Sequence, residues 1–329
     1  MSDAGRRPVL AAVEGGGTRF RWGVFPATDP PLREAEGETR VSRRVPFFLA
    51  EGEVPTGPPE TTLASVVAAL APHRPRAVGL AMFGPLRLRG PDGGSTRATP
   101  KPGWTDVPVA QRLAEGLDVP VAVDTDVNAA AFAESTLGAA RGQDPVVYVT
   151  VGTGVGFGVL VRGEPVHGIL HPEAGHLPMP VLRDPATGAP DAFPGTCPFH
   201  GRCLEGLASG PVLARRSGVA DPARLSAEDP AVRLAAAYLG AGLAAAALLL
   251  APGRLVLGGG VGIREGFLDR VRGALDDTLG DYPVPAAARP RDWVVGPALG
   301  EASGLYGAAL LAEGLASGAR PPIAVPPPV

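Results

Sequence analysis

The chain has 329 residues, 45% hydrophobic and 19% charged, which is enough for two globular cores and too apolar for an intrinsically disordered protein. A net charge of −3 gives no electrostatic reason to expect nucleic acid or an anionic membrane as partner. Of the 30 basic residues only Lys101 is a lysine, a skew of the kind codon bias produces and one that makes Lys101 a position to watch.

The 46 glycines and 38 prolines fall mostly between periodic apolar segments and read as short turns. At the start, Met1 to Val13 carries two arginines and an apolar run too short for a secretory or twin-arginine signal. Pro8 to Val13 reads as a strand, Glu14-Gly15-Gly16-Gly17-Thr18 as a turn, and Arg19 to Phe25 as a second strand. Pro59 to Ala71 is a helical stretch, Ala77 to Met82 a buried strand followed by a loop rich in Pro and Gly, and Val121 to Asp124 another strand. Asn128 to Ala140 is Ala-rich and helical. The opening pattern then recurs: strand Val146 to Val151, turn Gly152-Thr153-Gly154-Val155-Gly156, strand Phe157 to Val161. Such a repeat implies two related domains facing each other, each opened by a hairpin whose Gly-rich turn admits close approach.

The later half is mostly helical. Leu234 to Ala251 is uncharged and long enough to span a membrane, yet its Ala and Gly content and the strand that follows (Arg254 to Leu257) favour a buried core helix. With neither signal nor anchor, the chain is expected to be cytoplasmic. The turn Gly258-Gly259-Gly260 follows that strand, helical signals return from Gly300 to Ala316, and the proline-rich end, Arg320 to Val329, reads as a flexible tail. Alternating strands and helices indicate an α/β architecture.

Gly-rich turns point to phosphate. A P-loop needs a lysine after its glycines, and Lys101 lies in Pro-Lys-Pro-Gly instead, which excludes it. A dinucleotide fingerprint opens a helix, whereas the Gly152 turn opens a strand. What remains is a pair of hairpins whose N–H groups, with the hydroxyls of Thr18 and Thr153, embrace a phosphate tail without a lysine. Glu14 is placed to organise Mg²⁺ through water, and Gly258 to Gly260 would let adenine and ribose lie against bare backbone. The alternative is that all three are only tight turns.

Phosphoryl transfer to a hydroxyl needs a carboxylate to accept its proton. Asp124-Thr125-Asp126-Val127-Asn128 ends a strand and begins a helix, so Asp126 is the candidate base and Asn128 a neighbouring polar contact. A helix N-cap is the competing reading of Asp126, and spacing leaves both open. His171-Pro-Glu173-Ala-Gly-His176 precedes Cys197-Pro-Phe-His200-Gly-Arg-Cys203. The Cys-x-x-His-x-x-Cys run with His176 can close a tetrahedral, structural zinc site, the alternative being free thiols. His73, His167 and His171 are left over, and His171 receives no role.

Glu-Gly-Gly-Gly-Thr, Asp-x-Asn, Gly-Thr-Gly-Val-Gly, Glu-Ala-Gly-His, the Cys/His loop and Gly-Gly-Gly-Val occur in the order found in ROK sugar kinases. Pro100 to Trp104 and the Cys/His loop resemble the bacterial fructokinase branch. The resemblance runs from Val9 to about Ala316. It implies an actin-like (ribonuclease H-like) two-domain α/β fold with an interdomain active-site cleft and ATP-dependent phosphorylation of a hexose, D-fructose to fructose 6-phosphate first among them. Domains are expected at 1–124, completed by a last helix at about 300–318, and at 125–299, with the tail at 320–329.

By resemblance Asp126 is the base, and Gly84, Asn128, Glu173, His176 and Glu205 face the sugar, His176 also binding zinc with Cys197, His200 and Cys203. Glu14, Gly16, Gly17, Thr18, Gly152, Thr153, Gly154 and Gly156 would hold the phosphates of Mg-ATP, and Gly258, Gly259 and Gly260 the adenosine. A homodimer is also implied. Thr125 stands where ROK glucokinases carry an asparagine that would hydrogen-bond the sugar, which argues against glucose. A mannose or broad hexose and N-acetylhexosamine range remains an alternative. So does a non-catalytic sugar-sensing regulator, although the chain reaches its first phosphate hairpin at residue 14 without a helix-turn-helix before it.

Overall fold

The computed structural model describes residues 8–27, 46–282, 284–285, 288–290, 292–319 and 323–327. The paired arginines near the start, and positions 320–322 and 328–329 of the proline-rich end, lie outside the described residues. The chain divides into two compact units. One comprises Met1–Ala133, Pro165–His171 and Ala302–Val329; the other comprises Glu134–Glu164 and Pro172–Glu301.

In the first unit, β1 (Val9–Gly15) and β2 (Arg19–Pro26) form a hairpin with Glu14 opposite Arg21 and Gly15 opposite Phe20. β3 (Ala50–Pro55) extends it on one side, while β4 (Val78–Met82) and β5 (Val121–Thr125) add parallel strands on the other. Alternation along β1 dictates the layers. Ala11 and Val13 pack with Leu63, Val66 and Leu70 of α1 (Pro59–Leu70) and Leu113 of α2 (Val109–Leu117). Leu10 and Ala12 pack oppositely, with Ala308, Ala309 and Ala312 of the last helix, α9 (Ser303–Ala316). Small residues bring α9 very close: a Cβ on Gly79 of β4 would stand 1.8 Å from the Ala308 carbonyl oxygen.

The proline-rich end departs from the expected flexible tail. Its proline-free window, Ile323–Val325, forms the last strand, β11, and pairs antiparallel with β5, Ile323 opposite Val123. Three residues without proline can supply the ladder donors that proline lacks, and they do so at a sheet edge.

In the second unit, β6 (Val146–Val151) and β7 (Val155–Val161) form the second hairpin. β8 (Glu164–Pro165) lies beyond β7, and β9 (Arg254–Gly258) and β10 (Val294–Val295) continue the sheet in parallel from β6. Each unit thus repeats one plan, an antiparallel hairpin whose first strand is flanked by a parallel strand. The helices are α4 (Leu204–Ala208), α5 (Gly210–Ser217), α6 (Pro230–Leu250), the single turn α7 (Gly259–Gly262) and α8 (Phe267–Leu279). Tyr238 and Leu239 of α6 and Leu275 of α8 join Val147, Val149, Leu255 and Leu257 of the sheet in one core. Among the described residues α6 alone is long and apolar enough to cross a membrane, and 67% of its most apolar stretch is buried inside the fold.

The unit boundary differs from the one expected at 124/125. The helix α3 (Asp126–Thr136) continues directly from β5, and its first two turns stay with the first unit, where a Cβ on Gly307 of α9 would stand 2.0 Å from the Ala129 carbonyl oxygen. Pro165–His171 also returns to the first unit, where His171 Nε2 accepts the Leu86 N–H at 3.1 Å.

Candidate active site

The two hairpin tips are built alike in one respect, each leaving two backbone N–H groups without a partner among the described residues. In the first, the Gly16 N–H closes the turn on the Arg19 carbonyl at 2.9 Å. The tip's carbonyls are tied back: Gly16 O accepts from the Thr56 hydroxyl at 2.8 Å, Thr18 O from the Thr56 N–H at 3.0 Å, and Gly17 O from the Lys101 ammonium. The N–H groups of Gly17 and Thr18 have no partner among the described residues.

In the second tip, the Gly152 N–H closes on Gly154 O at 2.9 Å, and Gly152 O accepts the Gly210 N–H at 2.7 Å. The Thr153 and Gly154 N–H groups are likewise without a partner among the described residues. Carbonyls tied to neighbours and amides left without a protein partner are the parts of an anion-binding concavity. Glu14, at the base of the first tip, accepts from Arg21 Nε at 3.1 Å. That pairing fits an outer role toward Mg²⁺ through water better than direct ligation.

Gly258 to Gly260 are more structured than a bare turn. Gly258 ends β9, and a Cβ there would stand 2.1 Å from the Tyr148 hydroxyl; Gly259 takes a φ of +80° to start α7 against Val151 O. Gly260 is exposed, with nothing within 4 Å of an added Cβ. Bare backbone is therefore offered at Gly260, while Gly258 and Gly259 serve the strand-to-helix junction.

At the β5–α3 junction the N-cap is Thr125. Its buried hydroxyl accepts the Asn128 N–H at 3.2 Å and so caps the helix. Asp126 Oδ1 accepts its neighbour Val127's N–H at 2.9 Å. Around it runs a network that the sequence did not reveal. Asp124 Oδ1 accepts the Thr125 N–H at 2.7 Å and the Asn128 amide at 2.9 Å, and His167 Nε2 lies 3.1 Å from both Asp124 Oδ1 and Asn128 Nδ2. Asn128 is fully buried and turned into this network, where it holds the junction that carries Asp126. His171, left without a role above, is buried and fastens the loop containing Gly84. Nothing in sequence spacing distinguishes these two histidines from loop residues.

In the second unit, Glu173 precedes a 3-10 turn (Ala174–His176), and Glu205 lies in α4. Glu205 Oε2 accepts the Val155 N–H at 3.1 Å and fills the space where a Cβ on Gly154 would stand, 2.5 Å away. The carboxylate thus joins α4 to the second phosphate tip. Burial, and then the charge of Glu205, pushes the Glu173 carboxyl up to about 7.

His176, Cys197, His200 and Cys203 bring one ligand atom each within 4.8 Å of one another. Cys197 Sγ lies 3.7 Å from Nδ1 of both His176 and His200, and Cys203 Sγ lies 3.5 Å from His176 Nδ1. A tetrahedral zinc with bonds of about 2.0–2.3 Å holds neighbouring ligands roughly 3.5 Å apart, so the set fits that ion. A tight pairing of Cys197 with Gly201 forms the knuckle, and Cys203 caps α4. Burial pushes the Cys203 thiol up to about 11, and Cys197 and Glu205 add to the effect. A bound cation would reverse that preference.

Comparison with known proteins follows the same lines. The family model of ROK proteins matches residues 10–314. A fructokinase of Zymomonas mobilis is 37% identical over 321 residues, covering 93% of this chain and 97% of its own. A fructokinase of Pediococcus pentosaceus is 32% identical, covering 93% and 98%. The crystal structure of a ROK hexokinase from Thermus thermophilus superposes with a TM-score of 0.70 at 30% identity, covering 94% of this chain and 99% of that one.

Proposed function

The chain belongs to the ROK family, and on that premise we propose that it transfers the terminal phosphoryl group of ATP to a hexose, D-fructose at its 6-hydroxyl first. The observation that carries this reading is the pair of hairpin tips, each with two N–H groups without a partner among the described residues and a threonine hydroxyl beside them. Each tip by itself offers the donors that a phosphate group needs. Mg²⁺, when bound with ATP, spreads the charge of the transferred group, and Glu14 would hold it through water.

Asp126 is the general base in this reading. It takes the proton as the sugar O–H bond breaks, the new O–P bond forms and the bond to the nucleoside diphosphate breaks. Asp124, Asn128 and His167 keep its junction in place. Glu173 and Glu205 accept hydrogen bonds from sugar hydroxyls. His176 faces the cysteines through Nδ1, which leaves its Nε2–H as the donor to the sugar. Zinc at His176, Cys197, His200 and Cys203 would be closed and structural, holding that ring in place. In this reading the activity is cytoplasmic, and a homodimer is expected from family resemblance.

Thr125 caps the helix and supplies no amide to the sugar, in keeping with a preference against glucose. The preference for fructose rests on kinship with fructokinases and on the acceptor pair Glu173 and Glu205. The test is kcat/KM for fructose, mannose, glucose and N-acetylglucosamine in a coupled ADP assay, with product position read by NMR. Fructose phosphorylated at O6 with the highest kcat/KM is expected. Glucose equal or better would overturn the sugar assignment and leave the kinase assignment standing.

A further inference from the structure

Lys101, the only lysine in the chain, reaches the first hairpin tip, where its ammonium donates to the Gly17 carbonyl. The lysine is delivered there by an anchored turn. Lys101 O accepts the Trp104 N–H at 3.2 Å, and the Lys101 N–H donates to Thr99 Oγ1 at 3.3 Å. Trp104 is fully buried, stacks on Phe20 at 5.4 Å and donates its indole N–H to Gly57 O at 3.0 Å. Phe20 is itself the second residue of β2, so the turn carrying the ammonium and the hairpin carrying the phosphate amides hang from one piece of core.

A latch is not what the tip lacks. Thr56 already holds the carbonyls on either side, Gly16 O through its hydroxyl and Thr18 O through its N–H. The neighbouring guanidinium groups of Arg19 and Arg21 are paired with Glu53 and Glu14, whereas the Lys101 ammonium sits on a neutral carbonyl beside the N–H groups of Gly17 and Thr18. An ammonium has three donors and a flexible stem, so it can keep Gly17 O and still donate to phosphate oxygens; a planar guanidinium, used at every other basic position of this chain, is less suited to that.

We propose that Lys101 is the cationic ligand of the terminal phosphate bound at the first hairpin tip. This deepens the kinase reading above and rests on it. In the transition state charge is spread over the equatorial oxygens of the transferring group, so a cation that contacts them acts on kcat as well as on nucleotide binding.

A single side-chain amine makes the test direct. The purified full chain is labelled with trace acetic anhydride and read by peptide mass spectrometry, the α-amino group serving as internal reference. Labelling is run with no ligand, with fructose, and with a non-hydrolysable ATP analogue plus Mg²⁺, whose saturation is checked by calorimetry. Lys101 labelling is expected to slow about tenfold with the analogue and less than about twofold with fructose alone. Lys101→Met is expected to lower kcat/KM for ATP about 10- to 100-fold with Tm and the fructose KM nearly unchanged, and Lys101→Arg to recover part of the loss.

Unprotected Lys101 at saturating analogue, equal protection by fructose alone, or a Lys101→Met enzyme within about twofold of the parent each overturns the proposal. A Lys101→Met variant that loses activity only in proportion to a lowered Tm makes the residue a latch and also overturns it. Failure of the parent chain to bind the analogue at all removes the kinase reading, and this inference with it.

Discussion

Asp126 shares its strand-to-helix junction with a hydroxyl that already caps the helix, which supports the proposed role of base over that of cap. Thr125 accepts the Asn128 N–H, so a cap at Asp126 is not what the helix start requires. Asp126→Asn should therefore keep the fold, Tm and ATP affinity while kcat falls about a hundredfold or more. Activity within about threefold of the parent would end its assignment as base.

Glu173 carries a pH signature at the same scale. Its carboxyl, at about 7 through burial and the Glu205 charge, gains a proton as pH falls through neutrality and loses acceptor capacity. The kcat/KM for sugar should fall as pH drops through about 7, and Glu173→Gln should flatten that limb. For stability the sign is reversed. A raised carboxyl contributes stability fully below its unfolded value of 4.5 and loses it as pH rises through about 7, where the charge must be buried. Glu173→Gln should then raise Tm at pH 8, by about 2–4 °C for a gain of about 1 kcal/mol. An unchanged Tm at pH 8 would contradict the burial of that charge.

Among elements, the Cys/His loop is held from several sides. Cys203 caps α4, Glu205 joins α4 to the second phosphate tip, and Arg202 donates to the Tyr238 hydroxyl of α6 at 2.8 Å. Asp191 completes the support. It receives both Nη atoms of Arg216 at 2.8 Å and the Tyr238 hydroxyl at 2.8 Å. Burial alone would raise its pKa, but these donors hold it down to about 2. A loop braced in this way would hold the four proposed zinc ligands in place before an ion binds. Elemental analysis should give about one zinc per chain, and Cys197→Ser should lose it together with several degrees of Tm, since binding free energy is folding free energy at such sites. A fully active, metal-free preparation would remove zinc from the assignment.

For the whole molecule, the placement of α9 against the first unit's sheet depends on absent side chains. Gly79→Ala would set a methyl group against the Ala308 carbonyl, and backbone cannot yield as a side chain end can. A loss of about 2–3 kcal/mol is expected, read as a lowered denaturation midpoint with an unchanged m-value. A midpoint equal to the parent's would mean that α9 stands further from β4.

The sequence by itself determined what is encoded within a few residues. Both hairpins, with their glycines and threonines, were legible because a turn is a local object whose backbone needs dictate residue types. The Cys-x-x-His-x-x-Cys run was legible because zinc demands particular donors at short spacing, His176 being added from 21 residues earlier, and the strand-to-helix junction at Asp126 because both periodicities meet there. Only the tertiary structure decided that Thr125 is the cap, that Asp124, Asn128 and His167 form one network, that His171 fastens a loop 85 residues earlier in the chain, and that Ile323–Val325 pairs with β5. It also brought Lys101 to a turn 84 residues before it. Most of these are contacts between residues distant along the chain; the cap, though local, turned on which of two adjacent side chains faces the helix start. Hydrogen bonds formed by the packing of whole elements leave no spacing in the sequence from which they could be read.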